Sequence, residues 1–389
     1  MPSRRLPEDF APNEITQLLD RKRRSGERIL DLTETNPTRV GLPGAGPEEF
    51  RALSDPRGTL YEPDPRGLLG AREALVRYYA GRGGSGTPAA SLSADDLVLV
   101  ASTSEAYAHL LRLLCNAGDE IVIPRPSYPL LGPLVALEDV RVESYRLAYH
   151  DRWQLDLESL EGAISPRTRA VLLVQPNNPT GSCLSLEEAA RVESLCAERG
   201  IAIISDEVFG DFPWPPSSAP LPSMLGEREA LTFVLGGLSK LCGMPQMKVA
   251  WIAAVGRGKG DALRGLEWIA DLFLSVSTPA QVALPRLLEA RHGFQRSVRE
   301  RLTANLARLR ALGNGGSGFR VLEAEGGWSA VLEAPAASGD FALEALRTRN
   351  VLVHPGHFYE IAREGSVVVS LLPEAAVFEE AVACLEGMA

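Results

Sequence analysis

Three short clusters in the sequence carry groups able to do chemistry. Ser102-Thr103-Ser104 follows an apolar, β-branched run and opens a helical pattern. Unpaired N–H groups and three hydroxyls at a helix N-terminus make an anion site. Simple N-capping by serine or threonine accounts for the same residues. Gln175-Pro-Asn-Asn-Pro-Thr-Gly181 directly follows a second run. In an open α/β sheet the loops at the carboxyl ends of strands line the ligand crevice, although Asn-Pro also makes ordinary turns. Asp206 closes a third run, and Lys240 follows a fourth. A carboxylate and a lysine on one sheet edge form either a plain ion pair, worth little at a surface, or a charge partner and a nucleophilic amine. Gly236 and Gly237 ahead of the lysine leave room for a ligand lying close to the backbone.

The elements that must position these clusters follow from periodicity. Short apolar runs at 97–101, 120–123, 170–174, 201–205, 232–235 and 249–254 read as strands buried on both faces. Amphipathic stretches lie between them. Residues 104–116 stop at Ala117-Gly118, and 185–199 begin with Ser185 as cap, Glu188 as its capping-box partner, and end at Gly200. A helix is expected over 13–25 with Asn13 as cap. Strand and helix alternate, which predicts an α/β fold with a mostly parallel sheet. From about Val298 a long helical pattern runs into Gly313-Asn314-Gly315-Gly316. Strand-like and helical runs then alternate to the end, as in a smaller α+β domain. The expected division is a large domain over 48–290 and a small one made of 1–47 plus 291–389. Gly81–Gly86 follows a helix, the wrong context for a phosphate cradle, and reads as a loop.

Composition narrows the class. At about 150 residues per domain, 389 residues suggest two domains with sizeable cores. Acidic residues outnumber basic ones by 50 to 40, which argues against nucleic acid or anionic membrane as partner. Five widely spaced cysteines without a CxxC speak against a disulfide framework or a zinc site, and the five histidines lack ligand spacing, so no metal is expected. No apolar run approaches the roughly 18 residues of a membrane helix, and the N-terminal residues do not read as a secretory signal. A reduced, cytoplasmic enzyme is the expectation.

Taken in order, the clusters resemble the class I/II aminotransferases of pyridoxal-phosphate fold type I. The resemblance rests on Asn36-Pro37, Tyr61-x-Pro-x-x-x-Gly67, Gly118-Asp-Glu, Pro126-Ser-Tyr128, Asn178-Pro-Thr-Gly181, Asp206-Glu-Val, Ser239-Lys240 and Pro355-Gly356 with Phe358. It implies a mostly parallel seven-stranded sheet flanked by helices, with pyridoxal 5'-phosphate as cofactor. It implies that Lys240 forms the internal Schiff base and moves the proton between substrate and cofactor. Asp206 would face the pyridine nitrogen and keep it protonated. Asn178 would donate to the phenolic oxygen, and Tyr128 would stack on the ring. Ser102, Thr103, Ser104 and Ser239 would surround the phosphate. Tyr61 would reach the neighbouring subunit's phosphate, which implies a homodimer with shared sites. At least one cis peptide is expected before Pro126 or Pro179.

Four positions depart from the family pattern. Lys248 stands where an arginine usually clamps the phosphate, keeping the charge without the bidentate fork. Gly237 replaces a serine. Phe209 replaces a tyrosine that donates to the phenolic oxygen, so a higher imine pKa is expected. Val368 occupies the place of the arginine that grips the substrate α-carboxylate. Arg39 is a candidate replacement, with Asn36 and His354 as further substrate-side candidates. The expected reaction is ping-pong transfer of an amino group from an amino acid to a 2-oxo acid. The alternatives are a pyridoxal-phosphate lyase or biosynthetic elimination or cyclisation enzyme on the same fold, and a non-catalytic cofactor-binding protein.

Overall fold

The computed structural model describes residues 3–388 apart from 8, 45, 83–91, 218, 315–317 and 336–339. Most of the Gly81–Gly86 run and the glycines after Asn314 therefore lie outside the described residues. The six expected strands form, each within two residues of its apolar run. They are β2 (Leu97–Val100), β3 (Glu120–Arg125), β6 (Thr168–Val174), β7 (Ala202–Asp206), β8 (Thr232–Gly237) and β9 (Ala250–Val255). The last three are buried along their whole length, as their unbroken apolar character requires.

With β4 (Arg141–His150) and β5 (Arg152–Leu155), the large sheet among the described residues has eight strands in the order β2-β9-β8-β7-β6-β3-β4-β5, one more than the seven expected. The two strands outside the six apolar runs are β4 and β5, a hairpin joined through Asp151 at φ 62°. β4 lies beside the edge strand β5 and is mostly exposed or half-buried, with Tyr145 its buried residue, so it lacks an apolar run. β3, β4, β6, β7 and β8 run parallel to one another, while β9 is antiparallel to both β8 and β2. β2 consequently points the same way as β8. One edge thus collects the carboxyl ends of β2, β3, β6, β7 and β8 and the amino end of β9. Two apolar layers cover the sheet, one including Leu75, Val234 and Leu284 and the other Leu110, Ile252 and Leu266.

Helix ends follow the cap signals. Asn13 caps Glu14–Arg24 through its side chain, and Ser185 and Glu188 form the capping box of Leu186–Arg199, which ends at Gly200 with φ 65°. A second, four-stranded sheet has the order β10 (Arg320–Val321), β11 (Ser329–Glu333), β14 (Ser366–Ser370), β13 (His354–Pro355). The helix Arg291–Asn314 packs on it and starts some seven residues before the expected Val298. Phe294, Val298, Leu302, Leu306, Leu309 and Leu312 form its buried stripe. β1 (Leu30–Asp31) pairs with β12 (Val351–Leu352), tying the N-terminal segment to the C-terminal part of the chain.

Candidate active site

Each motif hangs from the edge described above. Asp206 is the last residue of β7 and is buried. It pairs in register with Val174 of β6, and its carbonyl accepts the N–H of Gln175 at 2.8 Å, which fixes the start of the Asn-Pro-Thr-Gly loop. In that loop Asn177 donates to the carbonyl of Pro126 at 3.1 Å and to Thr180 at 2.9 Å. The loop is thereby joined to the Pro126-Ser127-Tyr128 segment after β3. The peptides before Pro126 and Pro179 are both cis, as are those before Pro176 and Pro216. Gly181, at φ 67°, comes so close to Gly326 that an added Cβ would stand 2.5 Å from the Gly326 carbonyl oxygen.

Lys240 follows β8 in the short helix Leu238–Leu241. Gly236 lets β8 approach Trp251 on β9; a Cβ at this position would meet the indole at 2.6 Å. The Lys240 ammonium lies 5.6 Å from the centre of the Phe209 ring and 5.1 Å from that of Trp328. Burial pulls its pKa down, and the nearby Asp206 carboxylate opposes the change. Burial pushes the Asp206 carboxyl up, opposed by a hydrogen bond from the Tyr107 hydroxyl to its Oδ2 at 2.7 Å. A lysine with depressed basicity beside a buried carboxylate has the electrostatics of a nucleophilic amine.

At the end of β2, Ser102 caps the helix Thr103–Leu114, accepting the N–H of Glu105 at 3.1 Å. The capping reading therefore holds for its side chain. The N–H groups of Thr103 and Ser104 open the helix and have no hydrogen-bond partner among the described residues, as is usual for the first N–H groups of a helix. Lys248 precedes β9 and is exposed, at φ 51° in the left-handed region. It stands at the same edge because β9 runs antiparallel to β8, with Ala250 opposite Gly237. Ser239 lies half-buried beside Lys240.

Not every candidate gathers here. Tyr61 is 76% exposed and borders a small cavity with Leu274, Ser275 and Thr278; the Ser275 hydroxyl donates to Glu105 at 2.6 Å. Arg39 is exposed and lies 3.8 Å from Glu34. Asn36 uses its carbonyl oxygen locally, accepting from the Thr38 N–H at 3.1 Å and hydroxyl at 2.8 Å. His354 sits opposite Val368 in the small sheet, its Nδ1 at 2.9 Å from the Tyr359 hydroxyl, and burial pulls its pKa down. Val368 is buried in an apolar cluster with Trp153, Leu322, Val331, Tyr359 and Ile361. Arg363 is bound to Glu333 at 3.2 Å. The small sheet meets the site through Ser127, whose N–H donates to the Tyr359 carbonyl at 3.1 Å.

Two contributors escaped the sequence reading. Tyr107 lies four residues after Thr103, hence on the same helix face, which was the available signal. Trp328 follows Gly326-Gly327, and only the fold brings its ring to Lys240.

Residues 33–384 match the family described as aminotransferase class I and II. The chain belongs to that family. Aminotransferases of this kind depend on pyridoxal phosphate in general, act on amino acids and 2-oxo acids, and are generally dimeric. The activity is amino-group transfer between such substrates. Among curated relatives, glutamate–pyruvate aminotransferase AlaA of Escherichia coli K12 is 29% identical over 289 residues, covering 72% of this chain and 67% of that protein. Human tyrosine aminotransferase is 28% identical over 296 residues, covering 72% of this chain and 63% of that one. In fold, a solved structure of alanine aminotransferase from Pyrococcus furiosus superposes with a TM-score of 0.87 at 22% identity, covering 100% of this chain and 99% of that one. No helix among the described residues of this aminotransferase is long and apolar enough to cross a membrane. No cluster among them could hold a metal ion.

Proposed function

We propose that Lys240 is the residue through which this aminotransferase holds pyridoxal phosphate and moves the proton of the reaction. The residues at the edge fit that cofactor. Asn178 is half-buried with its Oδ1 buried and without a partner among the described residues, and a half-turn of the amide offers an N–H donor to the ring's phenolic oxygen. Asp206 offers a carboxylate to the ring nitrogen, and Tyr128 a ring face. The N–H groups of Thr103 and Ser104, the hydroxyls of Ser104 and Ser239, and the Lys248 ammonium suit a phosphate. Ser102 supports that site as its helix cap.

When bound, pyridoxal phosphate supplies a carbonyl carbon open to amines and a ring that takes up the electrons released at the substrate α-carbon. The chain's own part is proton handling and orientation. Lys240 Nζ, freed when the substrate's amine takes its place on the cofactor and its basicity lowered by burial, would take the proton from the α-carbon and return it one position away. Asp206, ionised, holds the proton on the ring nitrogen. Phe209 offers no hydroxyl to the phenolic oxygen, so Asn178 is the side-chain donor proposed for it.

On the substrate side, Val368 removes the usual cation, and Arg39 is the proposed partner of the α-carboxylate. Asn36 shapes the turn that carries Arg39, and His354, on the sheet face that Val368 occupies, is a further substrate-side candidate. The exposure of Tyr61 and the generally dimeric habit of the family support a homodimer in which Tyr61 reaches the neighbouring site. The pairing of β1 with β12 supports grouping residues 1–47 with 291–389 and treating 48–290 as the large domain. The relatives' names direct attention to glutamate, alanine and tyrosine as the first donors to test.

The single observation that carries this reading is Lys240 Nζ, depressed in basicity, at the same strand edge as the buried Asp206. Incubation with pyridoxal phosphate, borohydride reduction and peptide mass spectrometry test it. The expected result is one phosphopyridoxyl group on Lys240. Attachment to Lys22, Lys248 or Lys259 instead would refute the assignment.

A further inference from the structure

One buried contact at this strand edge takes no part in the proposed reaction. Tyr107 lies one turn into the helix Thr103–Leu114, its ring buried at 7% exposure. Its hydroxyl donates to Asp206 Oδ2 at 2.7 Å. The other carboxylate oxygen, Oδ1, accepts the backbone N–H of Val208 at 3.2 Å. The phenol is therefore the side-chain donor on this carboxylate, and it comes from the same helix whose first N–H groups suit the phosphate.

We propose that Tyr107 is a positioning residue that keeps Asp206 ionised and fixes its rotation, and thereby keeps the proton on the cofactor's ring nitrogen. The inference rests on the reading that Lys240 and Asp206 hold pyridoxal phosphate.

Relative basicity decides where the shared proton sits. A proton shared by a ring nitrogen and a carboxylate resides on the stronger base. Burial disfavours the charged form of the carboxyl and pushes Asp206 toward holding the proton itself. A hydrogen bond donated to the ionised form works in the opposite direction. Without the phenol, the proton shifts from the ring nitrogen to Asp206 and leaves two neutral groups. The ring then draws electrons from the α-carbon less strongly. Tyr107 remains a donor across the working range, because burial and the Asp206 charge keep its hydroxyl from ionising. The contact also fixes geometry, since with Oδ2 held by the phenol the carboxylate plane cannot turn freely.

The test uses the holoenzyme loaded with pyridoxal phosphate labelled with 15N in the ring. The ring-nitrogen chemical shift is followed against pH in the parent protein, in Tyr107→Phe, and with 3-fluorotyrosine placed site-specifically at 107. The parent nitrogen is expected at the value of a protonated pyridine. In Tyr107→Phe it moves toward the unprotonated value, and half-transamination slows about tenfold or more, the scale of losing one hydrogen bond to a charged group. The fluorinated phenol, a stronger donor, holds the nitrogen protonated to higher pH than the parent. This opposite movement would not arise from a purely structural role, and it decides the matter if Tyr107→Phe does not fold. Identical shifts and pH midpoints in the variants and the parent would overturn the proposal. A parent protein that binds no labelled ring at Lys240 would instead overturn the cofactor reading, and this inference with it.

Discussion

Removing the Asp211 carboxylate is a quantitative test of what stands behind Lys240. Asp211 is 9% exposed, and its Oδ1 accepts Arg82 Nε at 2.8 Å. Its Oδ2 accepts the Tyr78 hydroxyl and the Gln295 amide, each at 3.0 Å. Gln295 also donates to the carbonyl of Leu241, the neighbour of Lys240, at 3.2 Å. The Arg82 side chain is only 10% exposed and has one other acidic neighbour, Glu207 at 3.6 Å. In Asp211→Ala the guanidinium keeps that longer contact alone, the Tyr78 hydroxyl loses its acceptor, and Gln295 is left with the Leu241 carbonyl. Breaking a buried pair in this way costs about 3–5 kcal/mol. At about 2.1 cal/mol/K of unfolding entropy per residue, 389 residues give roughly 0.8 kcal/mol/K. A loss of about 4 kcal/mol then lowers the melting temperature by about 5 °C. Calorimetry at fixed protein concentration and saturating cofactor measures it. Asp211→Asn, which keeps one acceptor, loses less. Arg82→Met costs less in the Asp211→Ala background than in the parent, because the two groups are coupled. If Asp211→Ala melted within about 1 °C of the parent, the network would be irrelevant to stability and the reasoning refuted.

Further outcomes follow from other contacts. Arg39→Ala raises the amino-acid KM about tenfold or more, as expected for losing a charged contact; an unchanged KM removes Arg39 from the substrate site. Val368→Arg puts an unpaired cation into an apolar cluster at a position 2% exposed. Thermal melting should reveal a loss of about 2 kcal/mol or more, and a parent-like melt would show that the cluster opens to water. Burial lowers the His354 pKa below 6.5. The unfolded chain then takes up this proton first as pH falls, so stability is full above pH 6.5 and declines from there toward the folded pKa. His354→Gln should flatten melting temperature against pH below that point, whereas an unaltered slope would contradict a buried neutral imidazole. Ser185→Ala removes a cap bonded at 3.1 Å and should cost about 1 kcal/mol in denaturant unfolding, without effect on KM.

Much of the site was legible because the chain brings it together at strand ends. Asp206, Asn178 and Lys240 each follow an apolar run, and parallel pairing of β6, β7 and β8 carries those ends to one edge. The hairpin β4–β5 was not legible. Arg141–His150 mixes Arg and Glu with Val, Tyr and Leu on both faces, so it offers neither a continuous apolar run nor a clean alternation. The helix from Arg291 was recognised late because Gly293 and a run of polar residues mask its first turns, although Phe294 already belongs to the buried stripe. Long-range partners were the least accessible. The Tyr107 contact spans 99 positions, and Trp328 reaches Lys240 only once the loop at Gly326 has docked on Gly181. Helical spacing placed Tyr107 on the right face, but only the folded sheet supplied Asp206 opposite it.

The central claim is that Lys240 works at this edge in amino-group transfer. It is tested most directly by a half-reaction: the cofactor-loaded protein is mixed with single amino acids, without any 2-oxo acid, while the cofactor spectrum is recorded. The account predicts stoichiometric conversion to the pyridoxamine form with at least one donor, release of one equivalent of 2-oxo acid, and loss of both in Lys240→Ala. Consumption of an amino acid while the pyridoxal form persists, or conversion that survives Lys240→Ala at the parental rate, would contradict it.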